Sequence, residues 1–146
     1  MAHTFSSTVH EADDFLGAQE WFHEQNWTDG LPIVPPTPNA VGEFLDAALL
    51  PADHLVGIEP VRERALTAEK LAINAVMAGC LPDHFPVVVA AVTAMLQDPF
   101  VVHGATSSTG GCAIFTIING PVRRQLSMDG TFNALGASDR ATTSIG

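Results

Sequence analysis

The sequence predicts a helix-rich α/β domain with a small buried sheet, and an α+β arrangement fits the same pattern. Helix-capping residues precede several segments whose apolar residues recur at helical spacing. One apolar, β-rich segment at residues 113–118 (AIFTII) lies between a pair of glycines and an Asn-Gly-Pro turn, as expected of a buried strand. The chain has 146 residues, so we expect a single domain or the N-terminal part of a larger one.

The first two predicted helices flank a proline-rich segment. Asp14 precedes residues 15–26, where apolar and polar side chains fall on different faces, so an amphipathic helix is predicted there. Residues 27–38 (WTDGLPIVPPTP) hold four prolines and are predicted to form an extended loop. Thr37 as the cap and Pro38 as the first helical residue predict a second helix.

These elements divide the chain into three parts. We expect an N-terminal helix within residues 1–26, the proline-rich loop at residues 27–38 and a core formed by residues 39–146. Early in this core, residues 56–65 alternate weakly between apolar and polar types, and Pro60 limits them to an edge strand or a loop.

Two further helices are predicted in the core. Thr67 is the expected cap of a third helix, and Gly79 provides its left-handed end. Asp83 is the expected cap of a fourth helix. Because residues 87–96 are apolar on every side, this fourth helix is predicted to be buried all round.

The charge balance excludes one class of partner and indicates another. Six Lys+Arg stand against sixteen Asp+Glu, a formal net charge of −10, so nucleic acid, which clustered cations bind, is not an expected ligand. Charged residues make up 15% of the chain, and within residues 71–122 Asp83 and Asp98 are the only ones before Val122. We expect a second protein subunit or another copy of the chain to cover part of this neutral block; the alternative is an unusually neutral surface.

The sequence predicts a cytoplasmic protein that does not cross a membrane. Its first residues lack the cationic start and apolar run of a secretory signal. The two longest apolar stretches, residues 71–81 and 85–96, are both shorter than the roughly 18–20 residues that span a bilayer. In such a protein the two cysteines, Cys80 and Cys112, are expected to be free thiols.

Three motifs resemble those of a bacterial protein family. They are W-x-D-G-L-P-x-V-P-P-T at residues 27–37, N-A-V-M-A-G-C at residues 74–80 and N-G-P at residues 119–121. Over nearly its whole length the chain is similar to the first part of proteins associated with UGSC-type (seleno)proteins, named after a selenocysteine or cysteine followed by Gly-Ser-Cys. The resemblance favours an enzyme component with thiol- or selenol-linked redox or lyase chemistry on a small organic acid.

The chain departs from this family pattern at two places. Family members continue with Asn-x-x-Ile-Gly-Arg-Ala and a substantial second half, whereas this chain ends with residues 142–146 (TTSIG). The resemblance therefore implies a second half that is a separate subunit or a missing part of the chain. Cys112 lies where the family has small or apolar residues, so any role for it would be particular to this chain.

Three residues are candidates for catalysis. Cys80 would be a nucleophile, although its place after a helix C-terminus disfavours a thiolate and also fits a buried structural cysteine. Lys70, the one lysine of the chain, would be a base or a carboxylate clamp, or else a solvated surface charge. Asp29 lies in a rigid loop that would present its carboxylate to a cleft, or it forms a simple turn.

A second set of residues is predicted to bind the substrate. Asn74 shares a helix face with Lys70 at spacing i+4. The hydroxyl- and glycine-rich loop before residue 113 offers amides and hydroxyls to a carboxylate or an oxyanion, with a plain flexible loop as the alternative. The set comprises Asn74, Thr106, Thr109, Gly110, Gly111 and Asn119, the last of which would otherwise cap the following helix.

Two other functions fit the sequence. In the first, the chain is a non-catalytic assembly subunit of a hetero-oligomer, and the neutral block is its interface. In the second, it is a metal-dependent hydratase or hydrolase whose ligands are Cys80, His84, His103 and Cys112. These residue types bind zinc or iron, but their spacing matches no compact zinc finger. The sequence does not indicate a cofactor.

Overall fold

Seven α-helices and one β-hairpin form the part of the chain that this computed structural model describes, residues 3–107 and 109–146. In chain order they are α1 (Phe15–Glu24), α2 (Pro38–Ala48), β1 (Leu55–Glu59), β2 (Arg64–Thr67), α3 (Ala68–Met77), α4 (Phe85–Met95), α5 (Val102–Thr106), α6 (Pro121–Gln125) and α7 (Arg140–Ile145). Short 3₁₀ turns at Pro82–His84 and Asp98–Phe100 precede α4 and α5. The predicted fold class, helix-rich α/β with a small sheet, is confirmed.

The predicted caps hold the starts of the first three helices. The Asp14 carboxylate accepts a hydrogen bond from the N–H three residues later at 2.7 Å. The hydroxyls of Thr37 and Thr67 accept the equivalent bonds of α2 and α3 at 3.3 and 3.4 Å. Pro38 is the first residue of α2 as predicted, and Gly79 follows α3 with a φ of 82°. Each such cap contributes about 1 kcal/mol to helix stability.

The sheet is an antiparallel hairpin of β1 and β2. Leu55 lies opposite Thr67, and Glu59 lies opposite Arg64. Pro60 falls in the turn between the strands, where a missing backbone N–H costs no ladder hydrogen bond. The Glu59 carboxylate accepts two backbone N–H groups of this turn at 3.1 and 2.7 Å. Residues 56–65, expected as one edge strand or a loop, instead contain parts of two paired strands and the turn between them, and the hairpin is only half buried.

The strand predicted at residues 113–118 is wrong. These residues form no strand, and all but Ile118 are exposed. Within residues 3–107 and 109–146, no backbone hydrogen bond joins this segment to another one. A strand needs a neighbour to pair its N–H and C=O groups, and the sequence pattern alone does not supply that neighbour.

The hydrophobic core lies where α2, α3 and α4 meet. Leu45 and Phe85 are fully buried, and the rings of Phe44 and Phe85 pack with their centroids 5.8 Å apart. Three alanines of α3, Ala68, Ala72 and Ala75, are buried in this core. The buried cluster comprises Val41, Phe44, Leu45, Ala52, Ala68, Leu71, Ala72, Ala75, Val76, Cys80 and Phe85.

Helix α4 corrects a second prediction, because it is not buried all round. Phe85 at its start is buried, whereas Ala90, Thr93 and Ala94 are exposed. The main contacts of α4 are with α2, α3 and β1, so an apolar side of the helix faces outward. Asp83 does not cap it, since a 3₁₀ turn leads into the helix and the residue before α4 makes no side-chain cap bond.

Candidate functional site

A cleft of about 850 Å³ opens between α1, α3, the proline-rich segment and an N-terminal strap, which we define as residues 3–14. Its lining is mostly apolar, with a few charged and amide groups. Both its volume and this composition are typical of a small-molecule site. This cleft is therefore the candidate functional site.

Aromatic rings form one wall of this cleft. The rings of Trp21 and Trp27 stand nearly perpendicular, at 86°, with their centroids 5.2 Å apart. Phe22 packs edge-on against Trp21 at 5.3 Å, and His10 of the strap lies over Trp21 at 4.5 Å. Such perpendicular pairs are favourable arrangements of aromatic quadrupoles. Both tryptophans of the chain thus lie in the cleft.

A buried glutamine fixes the proline-rich segment against α1. The Gln19 side chain donates to the carbonyl of Ile33 at 2.8 Å and accepts from the N–H of the same residue at 2.9 Å. Val34 then donates its N–H to the carbonyl of Met77 at the end of α3, at 3.2 Å. The segment thereby joins α1 to α3 and closes one side of the cleft.

A buried carboxylate of α3 binds the backbone of the strap at Ser6 and Ser7. Glu69, which is 2% exposed, accepts hydrogen bonds from the N–H and hydroxyl of Ser6 and from the N–H of Ser7, at 2.7 to 3.1 Å. Burial alone would raise the pKa of Glu69, but these hydrogen bonds outweigh it and lower the pKa to about 2. The carboxylate is therefore charged and fully engaged by the strap.

Lys70 and Asn74 are the two predicted site residues that the structure brings together in the cleft. Both lie on one face of α3, and the Asn74 amide donates to the carbonyl of Lys70 at 2.8 Å. The Lys70 ammonium donates to the Ser7 hydroxyl at 2.8 Å. An ammonium has three N–H bonds, so this contact positions the side chain and leaves donors for a ligand.

Asp29 does not line the described part of the cleft. Its carboxylate accepts the N–H of Leu31 at 3.2 Å, and the hydroxyl of Thr28 donates to the carbonyl of Leu31 at 2.6 Å. This arrangement is a local turn, the alternative considered for the DGLP motif. The Asp29 carboxylate thus stabilises this turn.

Cys80 lies in the core, outside the cleft lining that the described residues form. It is 5% exposed, and its thiol donates to the carbonyl of Ser144 in α7 at 3.3 Å. Burial raises the pKa of the Cys80 thiol. Since the thiolate is the reactive form of cysteine, this environment fits the buried structural cysteine rather than the nucleophile.

The predicted substrate-binding loop also lies away from the cleft. The Thr106 hydroxyl donates to the carbonyl of Val102 within α5 at 2.7 Å. The remaining members of the set are exposed, and within residues 3–107 and 109–146 they do not contribute to the cleft lining: Thr109, Gly110, Gly111 and Asn119. Ser108 of this loop lies outside the described residues.

The proposed metal ligands are not assembled. Among residues 3–107 and 109–146, no group of three or more His, Cys, Asp or Glu side chains is arranged to hold a metal ion. His84 is buried, accepts the N–H of Leu81 at 3.2 Å, and has a pKa that burial lowers. His103 lies 3.6 Å from the carboxylate of Glu59, while Cys112 is exposed.

Comparison with family models, with curated proteins and with solved structures gives no match to this chain. Within the described residues, no single helix is long and apolar enough to cross a membrane. Two segments, Pro82–Met95 and Asp98–Thr106, reach the required length and hydropathy only when taken together, and they are bent by 75°.

Apart from Lys70 and Asn74, the residues that build the cleft were not predicted as site residues from the sequence. Glu69 was visible as an acidic residue in the first turn of α3, but nothing in its neighbourhood indicates that residues 6 and 7 bind it. Gln19 carries no local signal either, since a glutamine on an amphipathic helix usually faces solvent. The one sequence signal for the cleft is the presence of both tryptophans, Trp21 and Trp27, near the DGLP motif.

Proposed function

We propose that this chain is the ligand-binding part of a cytoplasmic enzyme that acts on a small organic acid. The observation that carries this proposal is the pair Lys70 and Asn74 on the wall of a large, mostly apolar cleft. The ammonium and the amide can both donate hydrogen bonds to one carboxylate. A hydrogen bond between charged groups is stronger than one between neutral groups.

The resemblance to UGSC-associated proteins supports thiol- or selenol-linked redox or lyase chemistry for the complete enzyme. Cys80 is buried and does not line the described part of the cleft. We therefore attribute any reactive thiol or selenol to a second subunit, and to this chain the binding of the acid. In this proposal Lys70 clamps the carboxylate, and the rings of Trp21 and Trp27 cover the apolar part of the molecule.

Replacing Lys70 by methionine tests this proposal. Binding of 5,5-dimethylhexanoate is followed through the fluorescence of Trp21 and Trp27, with the uncharged 5,5-dimethylhexanamide as the reference ligand. We expect saturable binding of the acid that K70M weakens about tenfold, because a charged hydrogen bond is lost. R124M, which removes an exposed cation of α6, should leave the affinity unchanged. Equal affinities of wild type and K70M would contradict the proposal.

A second candidate function, a non-catalytic assembly subunit, is favoured by the exposed apolar residues of the neutral block. Phe115 and Ile117 are 68% and 69% exposed, on a segment with high β propensity. Helix α4 adds an apolar outward side. Exposed apolar patches of this kind are typical of protein interfaces. These exposed residues support the proposal that a second subunit or another copy of the chain covers the neutral block.

Removing the two exposed side chains tests this interface. Native mass spectrometry of the chain, expressed alone and with the products of neighbouring genes, should show complexes larger than the 15.4 kDa monomer. The double variant F115S/I117S should shift them toward monomer, because most of the exposed apolar area of the segment is lost. F132S removes an exposed ring outside the neutral block and should have no such effect. A wild-type monomer under both conditions would contradict this candidate.

A further inference from the structure

We propose that the cleft takes a small zwitterion, a molecule with a carboxylate at one end and an ammonium or quaternary ammonium group at the other. The carboxylate lies beside Lys70 and Asn74. The cationic group lies against Trp27, in a cleft whose lining also includes the carboxylates of Glu11 and Asp14. The carboxylate half of this inference rests on the proposed function, whereas the cationic half rests on separate residues of the cleft.

The charges that line the cleft do not match a simple anion. In the described lining, three carboxylates, those of Glu11, Asp14 and Glu69, stand against the ammonium of Lys70. The hydrogen bonds from the strap engage Glu69 completely, so its charge is already compensated. Glu11 and Asp14 still outnumber Lys70. An anion attracted by Lys70 is repelled by these two groups, whereas a zwitterion complements both signs.

The aromatic wall supplies a surface for the cationic group. Trp27 is 54% exposed, and its ring stands nearly perpendicular to that of Trp21. His10 covers Trp21, so Trp27 offers the more open ring. A cation over the face of a tryptophan is attracted by the electron density of the ring, and quaternary ammonium groups are often bound this way.

The two ends of the ligand meet different structural elements. Glu11 and Asp14 belong to the strap, and Trp27 follows α1. Lys70 and Asn74 belong to α3. Asp14 is held in place, because one of its oxygens caps α1 at 2.7 Å. A zwitterion therefore bridges the two walls of the cleft. The opposite charges of the two walls fix its orientation.

Three probes of nearly the same shape separate the two charges. They are 4-(trimethylammonio)butanoate, its carbon isostere 5,5-dimethylhexanoate, which lacks the positive charge, and butyltrimethylammonium, which lacks the carboxylate. Titration of the full chain is followed by tryptophan fluorescence and by calorimetry. We expect the zwitterion to bind about three- to tenfold more tightly than either of the others, as a partly exposed cation–π contact and a single charged hydrogen bond allow.

Variants locate the cationic end. E11Q/D14N keeps side chains of the same size, and asparagine retains the helix cap. It should abolish the preference for the zwitterion over 5,5-dimethylhexanoate. The control D13N/E20Q removes two nearby carboxylates that lie outside the described cleft lining, and it should retain the preference. A preference that persists in E11Q/D14N overturns the assignment of these two residues.

The outcomes distinguish this inference from the proposed function. If 5,5-dimethylhexanoate binds as tightly as the zwitterion and K70M weakens both, the cationic site is wrong and the organic-acid proposal stands. If butyltrimethylammonium binds as tightly as the zwitterion and K70M has no effect, the carboxylate clamp is wrong and the cationic site stands. Absence of binding by all three probes overturns both.

Discussion

Replacing Glu69 by glutamine is expected to lower the free energy of unfolding by about 2–3 kcal/mol and to release the N-terminal strap from α3. Glu69 is 2% exposed, and its carboxylate accepts hydrogen bonds from the N–H and hydroxyl of Ser6 and from the N–H of Ser7. Glutamine keeps the size of the side chain, but its NH₂ group would face N–H and O–H donors. The strap, which lines one side of the cleft, would then lose its hydrogen bonds to Glu69 of α3.

Urea unfolding measures the stability change, and amide hydrogen exchange at Ser6 and Ser7 reports the release of the strap. E20Q neutralises an exposed carboxylate of α1 and should leave both readouts near wild type. In E69Q we expect exchange at Ser6 and Ser7 to become fast through local opening, while the core residue Leu45 speeds up only as far as the loss of global stability dictates. Wild-type exchange at Ser6 and Ser7 in E69Q would show that the carboxylate does not hold the strap.

The same carboxylate predicts how stability depends on pH. The pKa of Glu69 falls from an ordinary value near 4.5 to about 2 in the folded chain. A group with a lowered pKa stabilises the fold above its unfolded pKa, and this stabilisation is lost as the pH falls through the folded value. The stability of the wild type should therefore decline between about pH 4.5 and pH 2, and E69Q should show a shallower decline. Asp139, whose pKa is also lowered to about 2, contributes in the lower part of this window.

The helix starts could be predicted because they depend on local interactions. Asp14, Thr37 and Thr67 each bond an N–H three residues later, so their chemistry is complete within one turn. Lys70 and Asn74 could be paired for the same reason, since helical spacing alone puts them on one face. These are the parts of the fold and of the cleft that the sequence pattern determines.

The remaining parts depend on contacts between distant segments. The bonds from Ser6 to Glu69 join residues 63 positions apart, and no periodicity signals them. The β-rich segment at residues 113–118 has the composition of a strand, but strand formation also requires a neighbour. Helix α4 reads as buried from its composition, yet only the surrounding elements decide how much of an apolar helix is covered. Tertiary context therefore overrides local preference at these two places.

Both local interactions and contacts with a distant segment determine the environment of Cys80. Its place just after Gly79 predicts that the dipole of α3 does not activate the thiol. Its burial, however, is completed by α7, whose Ser144 carbonyl accepts the thiol hydrogen bond at 3.3 Å. Arg140 fastens the same helix by donating to the carbonyls of Gly79 and Cys80 at 2.8 and 3.4 Å. Access to this thiol should therefore depend on what anchors α7.

Replacing Asp139 by alanine is expected to expose Cys80. The Asp139 carboxylate caps α7 by accepting the N–H and the hydroxyl of Thr142 at 2.8 and 2.7 Å, and it also accepts the N–H of Asp129 at 2.8 Å. The hydrogen bonds from Asp129 and Thr142 lower the pKa of Asp139 to about 2. Loss of such a cap destabilises a helix by about 1–2 kcal/mol. Because about 1.4 kcal/mol changes an equilibrium tenfold, the open form that admits an alkylating reagent should become about tenfold more populated.

Iodoacetamide labelling at pH 8, read by mass spectrometry, measures this opening in a C112S background, which removes the exposed thiol. D139A should raise the labelling rate of Cys80 about tenfold, whereas D98A, which removes an exposed carboxylate next to α5, should leave it unchanged. Far-UV circular dichroism separates local opening of α7 from global unfolding, because α7 contains 6 residues and its loss barely alters the helix signal. If D139A leaves the labelling rate of Cys80 unchanged in the C112S background, the Asp139 cap does not control access to this thiol.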